Sequence, residues 1–168
     1  MRALFIGRFQ PLHLGHLHAI QKIVEKYGFV TIAVGSSNSS RSKENPFSFT
    51  QRKQMLEATL NAEGLRGKYA IIPLPDHESD SKWVASLRKR LHFELVVTGN
   101  QWVSRCLKSH AVVQVPKYLR RAELQATHVR KLMAEGKGWQ ALVPKQVQQI
   151  LEKTGRKENA KKSKGLVL

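Results

Sequence analysis

Five short apolar runs, separated by stretches with helical spacing, constrain this chain more than any other feature. The runs lie at residues 2–6, 30–34, 69–73, 95–98 and 112–115. Each has strand length, and the intervening segments 16–26, 50–61, 81–91 and 102–109 are of helical length. Leu17, Ile20, Ile23 and Val24 place apolar side chains three and four apart, the period of one helix face. Ser48 followed by Gln51 predicts a capping box for the second helix. Strands alternating with helices predict an α/β fold, a doubly wound parallel five-stranded sheet with helices on both faces. The rhythm changes after the fifth run. Residues 117–129 are polar and turn-like, and helical pieces near 129–135 and 145–153 predict a small C-terminal helical part. Residues 1–153 read as one domain. Residues 154–168 read as a disordered basic tail, with Arg156, Lys157, Lys161, Lys162 and Lys164 against Glu158 alone.

At 168 residues the chain has room for one real hydrophobic core. Its 29 Lys and Arg against 12 Asp and Glu leave a formal charge of +17, which suits polyanionic ligands from nucleotides to RNA. Nonspecific RNA contact is the partner expected for the tail. A single cysteine, Cys106, excludes an internal disulfide, and its apolar neighbours Val103 and Leu107 point to packing rather than catalysis. The N-terminal apolar run is too short for a secretory core, and no stretch reaches membrane-spanning length. A soluble, cytoplasmic protein is the expectation.

The chemistry is concentrated in Gly7-Arg8-Phe9-Gln10-Pro11-Leu12-His13-Leu14-Gly15-His16. This decapeptide lies where the first strand hands over to the first helix. Ligands of an open α/β sheet bind at that end, outside the carboxyl ends of the strands. A helix N-terminus there offers unpaired N–H groups to an anion. Gly15 is expected to let a phosphate approach the backbone, and His13 and His16 to donate hydrogen bonds to it. A second anion site is expected at Leu124-Gln125-Ala126-Thr127-His128-Val129-Arg130, where Thr127 caps a helix or meets phosphate and Arg130 supplies a bidentate cation.

The decapeptide resembles the signature of the HxGH nucleotidyltransferases, relatives of the class I aminoacyl-tRNA synthetases. With Arg-Phe-Gln-Pro ahead of the first histidine, it is similar in particular to the archaeal-type nicotinamide mononucleotide (NMN) adenylyltransferases. The resemblance implies a Rossmann-like fold and adenylyl transfer from ATP to NMN, giving NAD and pyrophosphate. It implies catalytic roles for His13, His16, Arg8 and Arg130. ATP contacts are implied at Gly7, Arg8, Phe9, Gln10, His13, Gly15, His16, Gly99, Asn100, Thr127 and Arg130. Asp76, Trp83 and Val84 are implied to line the nicotinamide pocket, where an indole suits a cationic ring. Gln125 and Ala126 depart from the family's Ser and Gly. The expected cofactor is Mg²⁺ carried mainly by the ATP phosphates, with no residue spacing suited to a protein-held zinc site. A homo-oligomer, a hexamer in the archaeal relatives, is implied as well. The alternatives are a nucleotidyltransferase for another acceptor (nicotinate mononucleotide, FMN or pantetheine phosphate) and a non-catalytic nucleotide- or RNA-binding module.

Overall fold

A computed structural model describes residues 1–116 and 123–164. Five parallel strands form one sheet: β1 (Ala3–Gly7), β2 (Val30–Gly35), β3 (Tyr69–Leu74), β4 (Leu95–Val97) and β5 (Val112–Gln114), in the order β3-β2-β1-β4-β5. Six helices accompany them: α1 (Leu14–Tyr27), α2 (Phe49–Ala62), α3 (Asp80–Arg90), α4 (Gln101–Leu107), α5 (Ala126–Glu135) and α6 (Lys145–Lys164). A short 3₁₀ turn, Trp139–Leu142, joins the last two. This is the α/β architecture expected from the alternating pattern.

Strand β1 is apolar throughout because both its faces are covered, as in the centre of any parallel sheet. Ala3 and Phe5 point into one layer, with Ile20 of α1, Leu56 of α2, Val129 of α5 and Val147 of α6. Leu4 and Ile6 point into the other, with Trp83 and Leu87 of α3 and Val103 and Leu107 of α4. The two-residue period of the strand thus separates two cores with different helices.

Chain direction then creates the site. From β1 the sheet grows outward through β2 to β3, after which the chain crosses to the other flank of β1 and lays down β4 and β5. The strand order therefore reverses between β1 and β4, and a crevice opens outside their carboxyl ends.

Helix boundaries differ from expectation in three informative places. Helix α1 starts at Leu14, ahead of the expected 16, because its cap is a histidine rather than a Ser or Asp. Helix α5 starts at Ala126, ahead of 129; its cap residue Gln125 makes no side-chain capping bond, so no local signal marks the start. Helix α6 runs on to Lys164, through residues the sequence reading had set apart as tail. The expected turn segment at 117–129 lies partly outside the described residues. The box at Ser48 and Gln51 is present, with Ser48 Oγ accepting from Gln51 N (3.3 Å) and Gln51 Oε1 from Ser48 N (2.9 Å).

Candidate active site

A cavity of about 700 Å³ occupies the crevice. Its rim is formed by the strand ends: Gly7 and Arg8 at the end of β1, Gly35 and Ser36 at the end of β2, Leu74 and Asp76 at the end of β3, and Thr98 to Asn100 beyond β4. His13 and His16 close one side, Trp83 and Trp102 another, and Gln125 and Ala126 bring in the start of α5.

The two histidines make a capping box out of imidazoles. His13 is the N-cap of α1, and its Nδ1 accepts from His16 N at 3.3 Å. His16 Nδ1 accepts in turn from His13 N at 3.4 Å. The rings stack with centroids 3.6 Å apart and planes 23° from parallel. With both Nδ1 atoms accepting, the neutral rings carry their protons on Nε2 and can donate from there. Burial holds them neutral. It lowers the His13 pKa to about 4 and takes His16 well below the usual imidazole range, where His13 charge would depress it further.

The loop before them is shaped around the same rings. Phe9 sits at φ +51°, an uncommon conformation for a bulky residue. Its ring lies 4.8 Å from His16 and edge-on to Phe5 at 5.6 Å. Gly7 leaves room for that ring, since a Cβ on it would meet the Phe9 ring at 3.0 Å and the ring would have to give way. Gly15 also has a packing role. A Cβ there would meet the His13 ring at 3.2 Å and Leu124 at 3.3 Å, so its space is taken by those side chains.

Gln10, expected at ATP, is instead buried and committed to the protein. Its Nε2 donates to the Phe47 carbonyl and its Oε1 accepts from Phe47 N, both at 2.9 Å. It holds the 45–47 segment against the decapeptide. Arg130 reaches across from α5 and donates through Nη1 to the Gln10 carbonyl at 2.9 Å, and Nη2 lies 3.4 Å from Thr127 Oγ1. Thr127 is in the first turn of α5 and Gln125 is its cap, which leaves the phosphate contact of the two roles expected for Thr127. The pair stands beside the cavity, while Gln125 and Ala126 line it. Gln125 makes no side-chain capping bond at the start of α5, an end whose N–H groups favour an anion.

Asp76 lines the cavity and accepts from Ser36 Oγ at 3.1 Å. Trp83 is buried with its ring in the cavity wall. Val84, expected beside it, turns to a separate groove of about 620 Å³ between α3 and α4 and takes no part in the cavity. Asn100 borders the cavity, but its Oδ1 caps α4 by accepting from Trp102 N (2.9 Å) and Val103 N (3.4 Å). Thr98 Oγ1 braces that corner by donating to the Ile6 carbonyl at 3.2 Å.

Two site residues escaped the sequence reading. Trp102 packs on Trp83 at 4.8 Å and is held by its indole N–H to Asp80 Oδ1 at 3.1 Å. The signal was an aromatic residue two places beyond Asn100. Arg52 is wholly buried beneath the strand ends. Its helical phase with Met55, Leu56, Thr59 and Leu60 puts an arginine on an apolar face, a mismatch that marks it. Burial first, and then the Arg8 charge, lowers the pKa of both Arg52 and Arg130, so three guanidinium groups share one positive field. Among the described residues no cluster of three His, Cys, Asp or Glu could hold a metal ion.

A switch-point cavity with imidazole donors and clustered arginines defines a nucleotide-handling α/β protein, and residues 4–133 match the family model described as cytidylyltransferase-like. The chain is 37% identical over 153 residues to a nicotinamide-nucleotide adenylyltransferase of Thermococcus onnurineus, covering 90% of this chain and 82% of that protein. A protein of the same name from Pyrobaculum aerophilum is 36% identical over 162 residues, covering 94% and 90%. The chain therefore belongs to the nicotinamide-nucleotide adenylyltransferase family. Among solved structures it is similar to a bifunctional NMN adenylyltransferase/ADP ribose pyrophosphatase from Francisella tularensis complexed with AMP and a manganese ion. The TM-score is 0.69 at 26% identity, over 95% of this chain and 54% of that one. The chain thus spans about half the length of the bifunctional protein. Among the described residues no helix is long and apolar enough to cross a membrane.

Proposed function

We propose that this chain transfers the adenylyl group of ATP to nicotinamide mononucleotide, giving NAD and pyrophosphate. The observation that carries this reading is the stacked pair of neutral imidazoles, anchored by their Nδ1 atoms at the start of α1 and lining the switch-point cavity. A phosphate oxygen of the mononucleotide forms a bond to the α-phosphorus as the bond to the bridging oxygen breaks in line, and the electron pair leaves with pyrophosphate. The attacking phosphate is already a nucleophile, so neither a protein nucleophile nor a strong base is required. What the protein supplies is alignment and charge stabilisation.

In this reading His16 donates from Nε2 to the α-phosphate as charge builds there, and His13 donates to the β- or γ-phosphate. Their low pKa values keep them donors without net charge across the neutral range. Arg8 and Arg130 grip the triphosphate, and the first N–H groups of α5 add to that grip. Mg²⁺ would come with ATP, its ligands supplied mainly by the substrate, and would neutralise phosphate charge beside Arg8 and Arg130. Among the described residues Asp76 is the one carboxylate lining the cavity, which suits a metal carried by the substrate. Trp83, backed by Trp102, offers a face for the pyridinium ring. The Asp76 carboxylate favours a neutral carboxamide over the carboxylate of nicotinate mononucleotide.

Incubating the chain with ATP, Mg²⁺ and NMN should yield NAD and pyrophosphate in equal amounts. Turnover of nicotinate mononucleotide, FMN or pantetheine phosphate in its place, with none for NMN, would replace the acceptor. A homo-oligomer is also proposed, supported by exposed Val112 and Val115 at the β5 edge; light scattering tests it. Nonspecific RNA contact is proposed from the +17 charge, and a salt titration of binding tests it.

A further inference from the structure

Arg52 is a cation with no exposed surface and no ion-pair partner among the described residues. Its guanidinium is instead spent on backbone carbonyls. Nη1 donates to Arg8 O at 2.8 Å and Gly35 O at 2.7 Å, Nη2 to Ser36 O at 3.0 Å, and Nε to Ser48 O at 3.3 Å. A buried charge without a carboxylate is costly, so its place at the carboxyl ends of two central strands calls for an explanation.

The carbonyls it selects supply one. Arg8 O belongs to the peptide that leads into Phe9, and Gly35 O and Ser36 O belong to the peptides on either side of Ser36. Phe9 (φ +51°) and Ser36 (φ +48°) are two of the three non-glycine residues with positive φ among the described residues. Conformations of this kind persist only where surrounding structure holds them. Arg52 grips both. On the β1 side the grip fixes the backbone that carries Arg8 to the cavity rim. On the β2 side it fixes Ser36, whose Oγ donates to Asp76 Oδ1 at 3.1 Å. Asn38 completes that link, its Oδ1 accepting from Asp76 N at 2.9 Å.

We infer that Arg52 is the positioning residue that sets the two substrate halves of the cavity against each other, Arg8 for the triphosphate and Asp76 for the acceptor. In-line transfer needs both substrates at one distance and angle, and a single rigid fork spanning β1 and β2 provides that reference. A lysine has the charge but not the planar set of donors that satisfies several carbonyls at once.

The inference rests on the adenylyl-transfer reading, which the parent chain's own turnover tests first. Binding of ATP and of NMN, each alone and by calorimetry, reads the positioning role independently of turnover. Arg52→Lys should weaken both ligands several-fold and lower kcat on the order of a hundredfold, the scale of a displacement of about 1 Å at the reacting centre. Arg52→Met should do the same or worse. A purely structural arginine would instead lower the melting temperature and the folded fraction while leaving both affinities of the folded protein at parent values, and that result overturns the inference. So does an Arg52→Lys protein with parental kcat. Should neither variant fold, Ser36→Ala decides, since it cuts the link to Asp76 without touching the buried cation. It should weaken NMN several-fold and leave ATP unchanged; parental binding of both overturns the inference.

Discussion

His13 and His16 each do two things, and the two are hard to separate. As caps they satisfy N–H groups at the start of α1; as cavity residues they present Nε2 to a ligand. Replacing His16 with alanine should therefore act twice. Loss of the reciprocal cap should cost about 1 kcal/mol of stability. Loss of a donor to developing charge should lower kcat on the order of 10²–10³-fold. Steady-state kinetics beside a melting curve separates the two, and near-parental kcat would remove His16 from the chemistry. The histidine pair was legible in the sequence because its spacing across a strand–helix junction is local. Gly15 is read as a phosphate neighbour from its place in the decapeptide, and Gln10 as an ATP contact from the family resemblance. Their partners in the fold, Leu124 for one and Phe47 for the other, are distant in sequence. Arg52 was overlooked for the same reason, its key acceptors being 44, 17 and 16 residues away.

At the level of elements, the helix starts decide what each motif can do. Helix α1 is doubly capped, α4 is capped by Asn100, and α5 has no side-chain cap. Introducing one with Gln125→Ser should raise stability by about 1 kcal/mol, seen as a higher melting temperature. Adenylyl transfer should persist, because the family itself carries serine there; loss of activity would mean that this chain depends on Gln125 in its own way. Helix α3 shows how far periodicity reaches. Trp83 and Val84 are neighbours, yet one faces the cavity and the other the groove against α4. Adjacent residues on a helix point about 100° apart, so the two side chains line different cavities. The five strands and their companion helices were legible because apolar period alone specifies them. The starts of α1 and α5 were not, since a histidine cap and an unbonded glutamine cap send no familiar signal.

For the whole molecule, stability should be tied to pH through the buried imidazoles. The His13 pKa is about 4 in the folded chain against an ordinary 6.5, so the unfolded chain binds the proton first on acidification. The His13 contribution is fully present above pH 6.5, falls as pH drops from 6.5 toward 4, and levels off below. His13 alone contributes a loss of roughly 3 kcal/mol, and His16 acts in the same direction. Melting temperature should accordingly decline between pH 6.5 and 4.5, and less steeply in His13→Asn, which retains a capping side chain. Equal slopes in the two proteins would show that His13 is charged when folded.

The strand that opens the sequence is the one in the middle of the sheet. While the chain is being synthesised, β1 can pair with β2 as soon as residue 34 is free, but its other edge stays bare until β4 arrives some 60 residues later. Arg130, 120 residues from the Gln10 carbonyl it binds, arrives later still. A nascent chain therefore displays an apolar strand edge until β4 follows, and completes its anion grip only after the sheet. Early in synthesis it is an aggregation hazard to be sheltered, and it becomes competent to hold a triphosphate only when nearly the whole domain has emerged.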